Sequence, residues 1–135
     1  MSAGLPETLG IRSGARVAVV DPPVGLAEAL EPLPAQVQLL PLSEPGLDVV
    51  LFFTRDAKHL VSRMPSLVRA MALSGRLWVA WRPDVTPALD EVLVRQVGLE
   101  VGLVDDRRAN LLPDWTGLRL RWRSRPRVER PSPRA

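Results

Sequence analysis

The chain has 135 residues, 46% of them hydrophobic, and a formal net charge of +3. That length suits one domain, and that apolar content excludes a globally disordered chain. The absence of cysteine excludes disulfides, thiolate nucleophiles and thiolate zinc sites, and no apolar run is long enough to span a membrane.

The N-terminal third predicts an arm, two strands and a short helix. Residues 1–14 form the arm, and they lack the basic-then-apolar pattern of a secretory signal, so we expect a cytoplasmic protein. Arg16–Val20 is a compact β-branched run, which predicts a buried strand. A short helix is expected over 24–30, before two prolines. A second short strand over 36–40 stops at a proline.

The middle of the chain predicts a strand, a helix and another strand. Asp48–Phe53 is apolar on both faces, which suits the centre of a parallel sheet. A helical stripe of apolar residues follows from Asp56, and Pro65 inside it predicts a kink or a new helix start. Ser74-Gly75 predicts the helix end, and residues 76–81 the next strand.

The last third predicts one helix and several late strands. The helix covers 88–97 with Gly98 as its cap, and a strand follows over 99–104. The segment 118–122 alternates apolar and arginine residues, as a strand with one solvated face does. Its antiparallel neighbour is expected at 108–112. The domain then covers 15–123, and 124–135 is a disordered Pro/Arg tail.

This alternation of strands and helices predicts the fold class. Strands that alternate with helices favour a parallel sheet covered on both faces. We therefore expect an α/β three-layer sandwich with a mainly parallel sheet and antiparallel C-terminal strands.

Three polar residues follow predicted parallel strands, so they should share one edge of the sheet. Asp21, Arg55 and Arg82 come directly after them, and Gly25 lies in the first loop. Because ligands of open α/β sheets bind at the carboxyl edge, these four residues form a candidate crevice for an anionic ligand. The alternative is that Arg55 or Arg82 forms an ion pair with Asp21 or Asp56 and closes the cleft. No catalytic residue or metal ligand is assigned, and His59 is expected to be solvent-exposed.

Positive charge is concentrated at the end of the chain. From residue 107 onward there are nine arginines and two carboxylates, a net of +7, whereas residues 1–106 have a net of −4. Arg119, Arg121, Trp122 and Arg123 are therefore candidate nucleic-acid contacts. A basic tail that only aids solubility is the alternative.

Several segments together resemble class I S-adenosylmethionine-dependent methyltransferases, which have a Rossmann-like fold. They are Val20-Asp21, the helix–Gly–strand segment 73–79, the segment Val97–Val101, and the late strand at 117–120. More closely, the chain resembles a bacterial family known only as a domain of unknown function, over about residues 9–123. That match is carried by Trp78–Trp81, Gly98-Leu99, Gly102–Asp105 and Trp115–Arg119.

The resemblance implies a cofactor loop in which the sequence departs from the pattern. Methyltransferases of this fold have Gly-x-Gly after the acidic residue, whereas here Pro22 and Pro23 follow Asp21 and only Gly25 remains. The second strand ends without the carboxylate that holds ribose hydroxyls, since Glu44 lies several residues on. The linker over 40–48 is too short for the usual helix and strand.

These departures lead to three hypotheses. The first is a non-catalytic methyltransferase-like domain that acts in interaction or regulation, as a homodimer through its late strands and with no cofactor. The second is an S-adenosylmethionine-dependent methyltransferase with an atypical loop. The third is a nucleic-acid-binding protein that uses the arginine-rich C-terminus. No membrane partner is expected.

Overall fold

A computed structural model of the chain describes residues 4–85 and 88–123. In chain order, the described elements are α1 (Leu5–Leu9), β1 (Arg16–Val20), α2 (Leu26–Ala29), β2 (Gln38–Leu39), β3 (Leu47–Phe53), α3 (Ala57–Ala70), β4 (Met71–Trp81), α4 (Glu91–Glu100), β5 (Leu103–Leu112) and β6 (Trp115–Trp122). Within those ranges, none of the helices has both the length and the apolar character needed to cross a membrane.

The strands form one mixed sheet in the order β2-β1-β3-β4-β6-β5. The first four strands are parallel, whereas β6 runs antiparallel to β4 and β5 antiparallel to β6. The predicted fold class is confirmed, including the antiparallel C-terminal strands. Because β1, β3 and β4 are parallel, their carboxyl ends lie at one edge, called here the carboxyl edge. The opposite edge is the amino edge.

Two apolar clusters cover the two faces of the sheet. Helices α3 and α4 pack on one face, where Leu60, Leu67 and Val94 are buried against strand residues such as Phe52 and Leu77. Among the described helices, the short α1 and α2 pack on the other face, around Trp78. These layers bury β3 and the C-terminal half of β4 on both sides, as expected for central parallel strands.

The boundary between α3 and β4 differs from the prediction. Helix α3 ends at Ala70 and β4 begins at once, so Ser74 and Gly75 lie inside the strand and do not end a helix. A Cβ at Gly75 would lie 2.6 Å from the backbone oxygen of Leu47. Glycine is therefore needed here for close approach of two strands, which local sequence cannot distinguish from a helix end.

Pro65 does not interrupt α3, contrary to the predicted kink or new start. Proline lacks the N–H that would bond the oxygen of Val61. Both Pro65 and Val61 are exposed, so water can satisfy that oxygen.

The segment around Gly98 also differs from the prediction. Helix α4 runs through Gly98 to Glu100, and the turn is made by Gly102 at φ +93°. A Cβ at Gly98 would lie 3.2 Å from Leu120 Cδ1, so this glycine lets the helix approach the sheet. The two strands predicted over 99–104 and 108–112 are one continuous strand, β5.

The segment predicted as an N-terminal arm contains α1. Leu9 is fully buried, Ile11 is almost so, and the Trp78 Nε1–H donates a hydrogen bond to Leu9 O at 3.0 Å. The arm therefore packs on the sheet from residue 5 onward. The tail predicted over 124–135 lies outside the described residues.

Candidate functional site

Asp21 stands at the carboxyl end of β1 in a constrained backbone conformation. Its φ is +54°, a region that aspartate tolerates better than most residues. About half of its side chain is exposed, and Oδ2 lies 3.0 Å from His59 Nε2. This contact joins the first loop of the sheet to the first turn of α3.

The prediction that His59 is solvent-exposed was wrong, because its ring contacts Asp21, Phe52 and Thr54. Only 9% of its side chain is accessible, and its ring lies 5.1 Å from that of Phe52. Asp56 caps α3 by accepting the His59 backbone N–H at 2.7 Å. His59 Nδ1 lies 3.1 Å from the hydroxyl of Thr54.

The three side chains Asp21, His59 and Thr54 form a hydrogen-bonded array, called here the Asp–His–Thr array. Because the Asp21 carboxylate only accepts, His59 must donate its Nε2–H to it. Thr54 is buried and its hydroxyl donates a hydrogen bond to Asp56 O at 3.0 Å, so this hydroxyl is not an accessible nucleophile. The array therefore orients Asp21 toward the carboxyl edge and leaves part of the carboxylate open to a ligand.

A sequence signal for His59 was available in Asp56-x-x-His59. An aspartate N-cap fixes the residue at its third helical position, so the His59 ring is placed beside the end of β3. What the sequence alone does not provide is the pairing of β1 with β3, which brings Asp21 to that ring.

The loop after Asp21 is open at Gly25. This glycine has φ +95° and begins α2, and no heavy atom lies within 4 Å of where its Cβ would be. Pro22 and Pro23 supply no N–H to a ligand. Ligand contact in this loop therefore depends on Asp21 and on the free space beside Gly25.

Arg55 and Arg82 lie at the same edge but have different surroundings. Arg55 is exposed after β3, the strand next to Asp21. Arg82 Nη2 lies 3.5 Å from Asp84 and 3.9 Å from Asp114, and its buried Nε has no partner among the residues that the structure describes. The structure therefore orients Arg82 toward the β5–β6 turn, whereas Asp21 contacts α3. Within the described residues, Arg82 forms no ion pair with Asp21 or Asp56, the two partners that the alternative named.

Strand β2 ends before it reaches the level of Asp21. Leu39 pairs with Val17, and the Leu40 N–H donates to Val17 O. Val17 lies three residues before Val20, the last residue of β1, so β2 ends about 10 Å short of the carboxyl end of β1. Glu44 pairs with Arg16 at 3.6 Å, which places its carboxylate at the amino edge.

These observations test whether S-adenosylmethionine fits the described part of the site. The half-exposed Asp21 carboxylate and the space at Gly25 fit the end of the ligand that carries its ammonium and sulfonium charges. Neither β2 nor Glu44 places a carboxylate where it would bind the ribose hydroxyls. The site fits one end of the ligand and lacks one anchor for the other.

The candidate nucleic-acid residues do not form one surface. Arg119 and Arg121 both contact Asp106 on the α1 face of the sheet. Trp122 packs against the apolar cluster on the opposite face, and its Nε1–H donates to Ala72 O at 3.2 Å. Arg123 is exposed beyond the end of β6.

Comparison with solved structures identifies the fold. A ribosomal protein L11 methylase from Lactobacillus delbrueckii subsp. bulgaricus superposes with a TM-score of 0.64 at 16% identity, over 89% of this chain and 75% of that one. The chain has the fold of the S-adenosylmethionine-dependent methyltransferases. A methyltransferase from Aquifex aeolicus gives a TM-score of 0.61 at 12% identity, over 84% and 85% of the two chains. Neither a protein-family model nor a curated protein matches the chain.

A third structure corrects the expectation that no cofactor is bound. The O-methyltransferase NcsB1 from neocarzinostatin biosynthesis, in complex with S-adenosylmethionine, superposes with a TM-score of 0.56 at 11% identity. The match covers 81% of this chain and 49% of that one. Since this fold holds the ligand at such low identity, the diproline loop was not sufficient reason to expect no cofactor. Among the described residues, no three His, Asp or Glu side chains group to hold a metal ion.

Proposed function

We propose that this chain is a ligand-binding domain of methyltransferase fold that takes S-adenosylmethionine, or its demethylated product, at the carboxyl edge. It acts through that binding, in interaction or regulation, without transferring the methyl group. The observation that carries the proposal is the Asp21 carboxylate, which the Asp–His–Thr array holds half-exposed beside the open space at Gly25.

We expect S-adenosylmethionine to bind with moderate affinity, because the described residues place no carboxylate where it would bind the ribose hydroxyls. One charge-assisted hydrogen bond contributes about 1.5–3 kcal/mol, or about 10- to 150-fold in affinity. A domain of this fold without that bond should therefore exchange its ligand readily. Such exchange suits a domain that reports on a ligand better than an enzyme that must position a cofactor for chemistry.

Titration calorimetry of the full chain tests the ligand. We expect saturable binding of S-adenosylmethionine and of its demethylated product. Asp21→Asn keeps the shape of the side chain and removes its charge, so affinity should fall by about tenfold or more. Asp114→Asn is the matched control, because it removes the same charge near the same edge, in the β5–β6 turn. No binding to the unaltered chain, or equal loss in both variants, would refute the assignment to Asp21.

A methyl-transfer assay tests the second half of the proposal. The full chain is incubated with methyl-labelled S-adenosylmethionine and a cell extract, and the label in protein, nucleic acid and small molecules is counted. We expect no transfer above a sample without the chain. Transfer that Asp21→Asn abolishes would make the chain an enzyme, and only the ligand assignment would stand.

A further inference from the structure

We propose a second ligand site at the amino edge, on the α1 face of the sheet, that binds the phosphate group of a small phosphoester. It is independent of the proposed function, because it lies at the opposite edge from Asp21. Three guanidinium groups from separate parts of the chain line a cavity of about 470 Å³ there. They are Arg12 between α1 and β1, Arg76 on β4, and Arg119 on β6, and the cavity is called here the amino-edge pocket.

Positive charge around this pocket exceeds the negative charge. The single carboxylate of Asp106 receives Arg119 Nε at 2.7 Å, and Arg76 Nε and Arg121 Nε at 3.4 Å each. One carboxylate cannot neutralise three guanidinium groups. At least two positive charges in this cluster therefore have no counter-charge within it.

Nearby residues do not restore the balance. Asp48 also lines the pocket, and its carboxylate keeps its negative charge while its Oδ2 accepts the backbone N–H of Arg16. The positive charge of Arg12 offsets it, so the excess of two positive charges remains. Arg12 forms no ion pair with any residue in the described ranges. Arg107 pairs in register with Arg119 across β5 and β6, so it adds a like charge to the same face.

The pocket is preorganised for an anion. Arg119 lies over the Trp78 ring at 5.9 Å, and its Nη1 is 3.6 Å from where a Cβ of Gly10 would be. Gly10 caps α1 at φ +81°, so a side chain there would be strained as well as close to this guanidinium. Ser13 and Ser74 line the same space and offer hydroxyl donors. Guanidinium groups fixed by packing lose little freedom when they bind.

The donors indicate phosphate, and the size indicates a small molecule. Guanidinium groups bind phosphate oxygens in bidentate fashion, and hydroxyls add neutral donors to the same oxygens. Pockets for small ligands have volumes of roughly 300–1,000 Å³, and 470 Å³ lies within that range. A concave pocket of this kind suits the terminal phosphate of a phosphoester better than the extended backbone of a nucleic acid.

The test measures binding of inorganic phosphate and ribose 5-phosphate to the full chain by calorimetry at low ionic strength, with ribose as the uncharged control. We expect the two phosphates to bind and ribose not to bind. Arg12→Gln should weaken phosphate binding by about fivefold to tenfold, which is less than a shielded charge-assisted contact contributes because Arg12 is exposed to solvent. Arg69→Gln removes the same charge from an exposed position on α3 and should leave binding unchanged.

A second variant should strengthen phosphate binding, so the test does not depend on loss of binding alone. Asp106→Asn removes the carboxylate that competes with the ligand, so we expect phosphate to bind at least twofold more tightly. Phosphate should also raise the Tm of this variant more than that of the unaltered chain. Unchanged or weaker binding in Asp106→Asn would overturn the proposal, as would equal binding by the Arg12 and Arg69 variants.

A single-stranded oligonucleotide with free hydroxyls at both ends carries only backbone phosphates. Its binding therefore distinguishes a site for a terminal phosphate from a site for a nucleic-acid backbone. We expect it to bind more weakly than ribose 5-phosphate does. Binding of the oligonucleotide alone, with a steep decrease as salt rises, would make this face a nucleic-acid surface and overturn the small-molecule assignment.

Discussion

The contact between Asp21 and His59 should contribute measurably to folding, apart from any role in ligand binding. The perturbation is a double-mutant cycle of Asp21→Ala, His59→Ala and the double variant. Alanine removes the acceptor at position 21 and the donor at position 59, so the coupling between the two substitutions reports the contact between these residues.

The expected coupling free energy between Asp21 and His59 follows from the geometry of their contact. The His59 Nε2–H donates to a carboxylate at 3.0 Å, and such hydrogen bonds to a charged group contribute about 1.5–3 kcal/mol when shielded from water. Half of the Asp21 side chain is exposed, and water competes for it, so we expect a coupling of about 1 kcal/mol. In a domain of this size, a loss of about 1 kcal/mol lowers the Tm by about 3–5 °C, and each single variant should lose at least that much.

Urea unfolding followed by tryptophan fluorescence measures the four free energies without ligand. A coupling of about 1 kcal/mol would establish that the array holds Asp21 in place. Additive single effects, with a coupling below about 0.3 kcal/mol, would refute that reasoning, because distant independent sites add within roughly that range.

Two further stability predictions follow from the packing. Gly75→Ala should lower the free energy of unfolding by about 2 kcal/mol or more, because its Cβ would meet a backbone oxygen at 2.6 Å. Gly98→Ala is the comparison and should cost less, since its Cβ would meet mainly the end of the Leu120 side chain and alanine favours the helix by about 1 kcal/mol. Equal losses of unfolding free energy in urea would contradict the role of Gly75. Leu9→Ala should cost about 2–4 kcal/mol, because Leu9 is fully buried. A change in thermal unfolding below about 1 °C would instead mean that α1 does not pack on the sheet.

The sheet could be predicted because its signals are local. The apolar run of β3 and the alternation of β6 each identify a strand without reference to the rest of the chain. The alternation of these strands with helices then predicted the mainly parallel sheet, and the observed strand pairing agrees. Two of the errors fall at Gly75 and Gly98, where a glycine allows two elements to approach each other. In sequence, that requirement looks the same as a helix end.

The candidate site could be predicted only in part, because its contacts depend on which strands pair. Placement of Asp21, Arg55 and Arg82 after strands was enough to put them at one edge. The partner of Asp21 was missed because His59 lies beside Lys58 on a polar helical turn, which is typical of an exposed residue. Likewise, the amino-edge pocket combines residues from three separate segments, and no local pattern connects Arg12 with Arg76 and Arg119.

The most direct measurement of the central claim is a titration of isotope-labelled full chain with the demethylated product of S-adenosylmethionine, followed by amide chemical shifts. We expect the largest shifts at Asp21, Gly25 and Arg55, with a saturating dose response, and little change at Arg12 and Arg76. An unchanged spectrum at millimolar ligand, or shifts confined to the amino-edge pocket, would contradict the assignment of the ligand to Asp21.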